Sequence, residues 1–192
     1  MTSGATSRRA PRPRSDFPMT PGSSGSVLAG ALAAFNARPA AAADGQFLAA
    51  LYASTRPDLD SRTAAPALVR SIMGMQQRLQ GADYRRRFPD AHTLMLEHAG
   101  APAARVVAEL GARQLRLVDI AVLPALRGRG IGGAVVRALQ ACAAAHKVPL
   151  CLSVHLHNPD ARRLYLALGL RPLGADGLAE QMRWDPHESD QA

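Results

Sequence analysis

Aromatic residues are scarce in this chain: 4% of 192 residues, with a single tryptophan. A core must therefore be built from Leu, Val, Ile and Ala, which a hydrophobic content of 47% allows. That content also excludes wholesale disorder. The length suits one domain, or one domain with tails. Cysteine is limited to Cys142 and Cys151, too few for a disulfide framework. Both lie in apolar stretches and read as buried, inert thiols. Lysine occurs once, at Lys147, so the net charge of +8 is almost wholly arginine. Arginine beside so much Ala, Gly and Pro suits a compositional bias as readily as a binding face. The sharper alternative is an anionic partner, a nucleic acid or a polyphosphate cofactor.

Long apolar runs are also missing; none approaches the ~20 residues of a membrane span. Val27–Phe35, the longest near the start, holds nine residues and includes Gly30. It follows a polar, Pro-rich stretch, which does not suit a signal peptide, and a cytoplasmic location is expected. Metal-ligand spacing is absent. His155 and His157 would share one face of a strand, but no further ligand is near in sequence, so no metal is expected.

Residues 1–26 are Ser, Gly, Pro and Arg, with a basic cluster at Arg8, Arg9, Arg12 and Arg14. Such a segment buries too little to offset its ordering entropy and is expected to be a disordered basic tail. Residues 27–184 read as a single domain and 185–192 as a polar tail. A short first strand is expected near Ala33–Arg38. Asp44 is a candidate N-cap for a helix over 45–54. Residues up to Ala65 read as loop. A helix over 66–80 would carry a stripe of Leu68, Val69, Ile72, Met75 and Leu79, with Gly81 as its stop. Tyr84–Pro89 then reads as a basic, aromatic loop.

From residue 93 the period changes to that of strands. Strands are expected over 93–97, 104–110 and 115–122, as an antiparallel meander. A helix over 128–146 and a strand over 148–156 follow. Asn158 and Pro159 open the next helix and Gly169 closes it. Short strands over 170–173 and 178–184 complete the chain. The crossover helix makes strands 115–122 and 148–156 parallel, so the fold class is α/β with a mixed sheet.

The strongest chemical signal is Arg127-Gly128-Arg129-Gly130-Ile131-Gly132-Gly133, between a strand and a helix. Glycines let a ligand approach the backbone, and the first N–H groups of a helix have no internal partners. A pyrophosphate suits such a turn. A Gly-rich turn that only tightens a loop is the bland alternative. Gly128-x-Gly130-x-x-Gly133 formally satisfies the dinucleotide fingerprint, but no acid ends the next strand at Ser153–Asn158. No Gly-Lys-Ser/Thr exists for a Walker loop.

Arg127-x-x-Gly130-x-Gly132 resembles the Arg/Gln-x-x-Gly-x-Gly/Ala signature of the GCN5-related N-acetyltransferases, the GNAT superfamily. Ile120-Ala121-Val122-x-Pro124 precedes it, and Asn158-x-x-Ala161-x-x-Leu164-Tyr165-x-x-Leu168-Gly169-Leu170 follows, similar to a second signature. The resemblance implies a GNAT-like fold, a meander followed by a splayed parallel pair, and acetyl-CoA as donor. It implies that N–H groups from Arg127 to Gly132, with Gly133 closing the turn, hold the pyrophosphate. Ile120, Ala121 and Val122 would pair with the pantetheine amides, Asn158 would contact the pantetheine arm, and Tyr165 would protonate the leaving thiolate. A Glu often found on the strand matching 148–156 is Ser153 here. Asp119 is therefore the first candidate base, and equally a structural acceptor for an Arg; Glu109 and His155 follow. The expected activity is transfer of an acetyl group to a primary amine of a small molecule or peptide by direct attack in a ternary complex. A homodimer is compatible with this reading, and a membrane or nucleic-acid partner is not expected. A CoA-binding sensor of the same fold is the first alternative. A nucleic-acid binder using the tail and Arg85–Arg87 is the second.

Overall fold

A computed structural model describes residues 21–55 and 66–186. The expected tails over 1–20 and 187–192, and the loop expected over 56–65, lie outside the described residues.

Seven strands form one sheet: β1 (Arg38–Pro39), β2 (His92–His98), β3 (Ala101–Leu110), β4 (Leu115–Val122), β5 (Leu150–His155), β6 (Arg171–Ala175) and β7 (Ala179–Trp184). Their order is β1-β2-β3-β4-β5-β7-β6. Every neighbouring pair is antiparallel except β4–β5. The mixed α/β sheet is thus the one the crossover argument requires. Helices α1 (Pro21–Ala31) and α4 (Ile131–Ala145) pack on each other, α1 also against β3 and α4 against β4 and β5. Helices α2 (Gly45–Ser54) and α3 (Pro66–Arg87) pack on each other, and α2 also meets β3 and β4. Helix α5 (Pro159–Ala167) follows β5. Leu94, Leu96, Leu115, Leu139, Leu150 and Leu152 centre the core.

Helix α1 corrects two expectations. The chain is helical from Pro21, six residues inside the expected tail, and the expected strand at Ala33–Arg38 is a 3-10 turn followed by the two residues of β1. The cause is tertiary. Leu28 and Leu32 are fully buried in the same core as Leu150. Ser24 Oγ hydrogen-bonds His92 Nε2 at 3.0 Å. A Cβ on Gly25 would stand 2.9 Å from His92 Nδ1, so any larger residue there must displace the His92 ring. A chain beginning at Ser26 would keep Leu28 and Leu32 but lose the Ser24–His92 bond and the packing of Gly25 on His92.

Helix α3 runs past Gly81 to Arg87, which places Tyr84–Arg87 on a helix rather than in a loop. Asp83 bridges Arg86 at 2.7 Å and Arg87 at 3.5 Å, and the last-turn arginines complement the helix dipole. The glycine penalty of about 1 kcal/mol is offset there. Two members of the expected stripe, Met75 and Leu79, are exposed.

Asp44 precedes α2 but does not cap it with its side chain. Its carboxylate turns back to accept two bonds from Arg38, at 2.6 and 2.8 Å, and one from the Ala41 N–H at 2.7 Å. These bonds hold its pKa down at about 2, with the Arg38 hydrogen bond first among the causes. A depressed folded-state pKa gives stability that is present above the unfolded value, about 3.9, and is lost as the folded group protonates. Asp44→Asn should therefore melt below the parent at pH 7, and the gap should narrow from pH 4 towards pH 2. A gap independent of pH in melting curves would detach the effect from this ion pair.

Candidate active site

The parallel pair β4–β5 is in register only from Leu115↔Leu150 to Leu117↔Leu152. Val118 has no partner on β3 either: Leu117 pairs with Ala108 and Asp119 with Val107, so Val118 is the extra residue of a bulge. Beyond it, Asp119–Val122 pair with β3 alone. The backbone edge of β4 that faces β5 is open there, and a ligand with amide groups can occupy it.

Past the end of β4 lies the glycine turn. Helix α4 begins at Ile131, three residues later than expected, because Gly128 and Gly130 are left-handed, at φ of 73° and 80°. Ile131 is buried and fixes the helix start to the core. The first N–H at this end to find a backbone acceptor is that of Ala134, bonded to the Gly130 carbonyl at 2.9 Å. The N–H groups from Gly128 to Gly133 therefore have no backbone acceptor of their own. A Cβ on Gly128 or Gly130 would meet nothing within 4 Å, so the backbone is open to approach. Arg127 differs from expectation. Its N–H bonds the Pro124 carbonyl at 3.1 Å, and its guanidinium reaches the Val122 carbonyl at 3.0 Å and Ser54 Oγ at 3.2 Å. The residue ties the turn to β4 and α2. Arg129 is exposed.

A cavity of about 300 Å³ sits where the strands part. Asp119, Ile120, Asn158 and Tyr165 all line it. Ala121 is buried and Val122 half-buried, and neither they nor the residues of the turn line it. Asn158 Oδ1 accepts the Ala161 N–H at 3.2 Å, capping α5 as expected. Tyr165 is buried, and burial, reinforced by the charge of Asp119, pushes its pKa up to about 12. Asp119 is bound by Arg105, Nη2 to Oδ2 at 2.6 Å, across the β3–β4 ladder. Of the two sequence readings of Asp119, the structural acceptor is therefore present in the geometry. Glu109 does not line the cavity, and burial pushes its pKa up. His155 lines the cavity but is exposed.

Tyr84, Arg87, Phe88 and Arg116, which belong to none of the motifs, also line the cavity. Continuation of α3 to Arg87 is the missing signal, because Phe88, just past the helix end, bonds its N–H to the Tyr84 carbonyl at 2.7 Å and so stays one turn from Tyr84. Burial and the nearby Asp119 carboxylate push the Tyr84 pKa up, and Gln80 Nε2 donates to its hydroxyl at 3.1 Å.

A mixed sheet parted at a bulge, with a glycine turn opening a helix beside it, defines the class of protein. Residues 41–170 match the acetyltransferase (GNAT) family, and the chain belongs to that family. No curated protein sequence matches the chain. Among solved structures, a PaiA N-acetyltransferase from Thermoplasma acidophilum in complex with coenzyme A is similar at a TM-score of 0.57 and 14% identity, over 78% of this chain and 97% of that one. An acetyltransferase from Thermus thermophilus is similar at 0.56 and 19% identity, over 78% and 95%. A mutant of the spermidine N-acetyltransferase SpeG from Vibrio cholerae is similar at 0.54 and 17%, over 79% and 95%. At these identities the similarity is one of fold. No described helix is long and apolar enough to cross a membrane.

Proposed function

We propose that the protein is an N-acetyltransferase that moves an acetyl group from acetyl-CoA to a primary amine by direct attack, with both substrates bound. The observation that carries this reading is that β4, whose edge opens beyond the bulge, leads on to a turn at the start of α4 in which the N–H groups of Gly128–Gly133 bond no backbone acceptor. A linear ligand with amides at one end and phosphates at the other fits that order. Gly128 to Gly133 donate to the pyrophosphate, aided by the positive end of α4. Arg127 shapes the turn rather than donating its own N–H to it. Ile120, Ala121 and Val122 offer the strand edge, and Asn158 offers its Nδ2.

Acetyl-CoA supplies the activated thioester. The amine must lose a proton and the departing sulfur must gain one, so a proton acceptor and a donor are needed. Asp119 is the cavity carboxylate whose charge acts on Tyr165. It takes the amine proton directly or through water, with Arg105 fixing its other oxygen. Tyr165 keeps its proton throughout the neutral range, because its pKa stands at about 12. A thiol titrates near 8.5, so full transfer from Tyr165 to sulfur is uphill. The hydroxyl acts chiefly as a hydrogen-bond donor to the departing thiolate, which leaves as the anion and takes its proton from solvent.

Tyr165→Phe keeps the ring and its packing. CoA affinity and melting temperature should change little, and turnover should fall roughly 10- to 100-fold, the worth of one hydrogen bond to a charged group. No limb of the pH profile between 6 and 10 should disappear with it. Turnover unchanged in the mutant, with chemistry rate-limiting, would make Tyr165 a packing residue. The activity itself is tested by CoA-dependent thermal stabilisation and by thiol release across an amine panel. Stabilisation without thiol release from any amine would favour a CoA sensor instead.

A further inference from the structure

One pair of cations in the cavity is left unused by this chemistry. The Cζ atoms of Arg116 and Arg87 stand 5.6 and 5.8 Å from the centre of the same ring, that of Phe88. Two guanidinium groups are thus gathered on one aromatic anchor, and all three residues line the cavity that holds Asp119 and Tyr165. Arg116 is half-buried in β4 between the buried Leu115 and Leu117. No hydrogen bond or ion pair engages its side chain among the described residues, although Glu109 is its partner across the ladder. Arg87 is 64% exposed and its Asp83 contact is long, at 3.5 Å.

The acids of the cavity are in the opposite condition. Asp119 is bound by Arg105 at 2.6 Å. Asp176 accepts the N–H groups of Leu178 and Ala179, at 3.1 and 2.9 Å. The cavity therefore offers one guanidinium, Arg116, that no ion pair holds, and a second, Arg87, held by the long Asp83 contact, beside acids that are already bonded. Its place matters too. β4 runs towards the glycine turn, so phosphates belong at its C-terminal end, whereas Arg116 lies before the point where β4 and β5 part. That end of the cleft is left for the acceptor.

Resting on the acetyltransferase reading above, we propose that the acceptor is an amine that also carries an oxyanion, a carboxylate or a phosphate, and that Arg116 with Arg87 binds it. Guanidinium groups suit such oxygens through paired N–H donors. A polyamine would bring further positive charge against two cations, with the cavity acids Asp119 and Asp176 already bonded within the protein.

The test is thiol release from acetyl-CoA with matched acceptors: the common amino acids against their carboxamides, phosphoethanolamine against ethanolamine, and spermidine. The oxyanion member of the preferred pair should have a kcat/KM at least about tenfold higher, because a site built for a polar group discriminates against the analogue lacking it. The pair that responds tells carboxylate from phosphate. Arg116→Gln should collapse that ratio mainly through KM, and Arg116→Lys should restore part of it. Arg87→Gln, at the exposed position, should lower the ratio less and keeps the test available if Arg116→Gln fails to fold. Equal or better use of carboxamides, ethanolamine or spermidine overturns the proposal, as does an unchanged ratio in Arg116→Gln. CoA-dependent stabilisation of the same preparation separates the two levels: stabilisation with a preference for neutral amines removes only the acceptor assignment, and no stabilisation removes the donor reading beneath it.

Discussion

Gly132→Asp is expected to weaken CoA binding by about 100-fold or more while the protein stays folded. Gly132 is the second residue of α4, and a Cβ there would touch Leu164 Cδ2 at 3.7 Å, an ordinary contact. Its φ is not among the left-handed ones, so a side chain adds no backbone strain. A carboxylate in the first turn also complements the helix dipole, worth about 0.3–1 kcal/mol. The melting temperature should hold or rise slightly. Affinity should move the other way. A unit charge about 4 Å from a phosphate, at an effective dielectric of about 20, is repelled by about 4 kcal/mol. Solvent at the open turn reduces this, which leaves about two decades in Kd. Gly130→Asp is a poorer probe, because its φ of 80° mixes strain with charge. Calorimetric titration with CoA beside a melting curve reads both quantities. Unchanged affinity in the folded variant would move the phosphates away from this turn.

What the sequence disclosed and what it hid differ by range. The glycine turn and the Asn158–Pro159 helix start were legible because the chemistry is local: a left-handed φ, an Asx cap, a proline at the first helical position. The parallel pairing of β4 and β5 was legible from its crossover, but the place where it ends was not. That place depends on the bulge at Val118, a register between strands far apart in sequence. The same register brings Arg105 to Asp119, which the sequence left open between base and structural acceptor. Arg116 had no motif around it. Only the extension of α3 beyond Gly81 brings Phe88 and Arg87 over it, and Gly81 reads locally as a stop. Ser24 and His92 are 68 positions apart, so nothing local marks α1 as part of the fold.

A chain beginning at Asn36 is expected to lose its cooperative thermal transition, although it retains all of residues 41–170 that match the family. Helix α1 lies outside that match, yet Leu28 and Leu32 are both fully buried in the principal core. Truncating one buried leucine to alanine costs about 2–5 kcal/mol, so losing two costs about 4–10 kcal/mol. Total stability of a domain is only about 5–15 kcal/mol. Deletion also uncovers the apolar surface that α1 shields on β3 and α4, and it removes the Ser24–His92 bond. Leu32→Ala alone should lower the melting temperature by about 5–15 °C, from a shift of about 2–4 °C per kcal/mol at this size. A chain beginning at Thr20 is the control and should melt with the full-length protein, since residues 1–19 carry a Pro-, Ser- and Arg-rich composition that supports no packed core. Calorimetric melting of the three chains decides the matter. If the chain beginning at Asn36 melts as sharply and as high as the parent, α1 is an appendage, and the core must close over β3 and α4 without it.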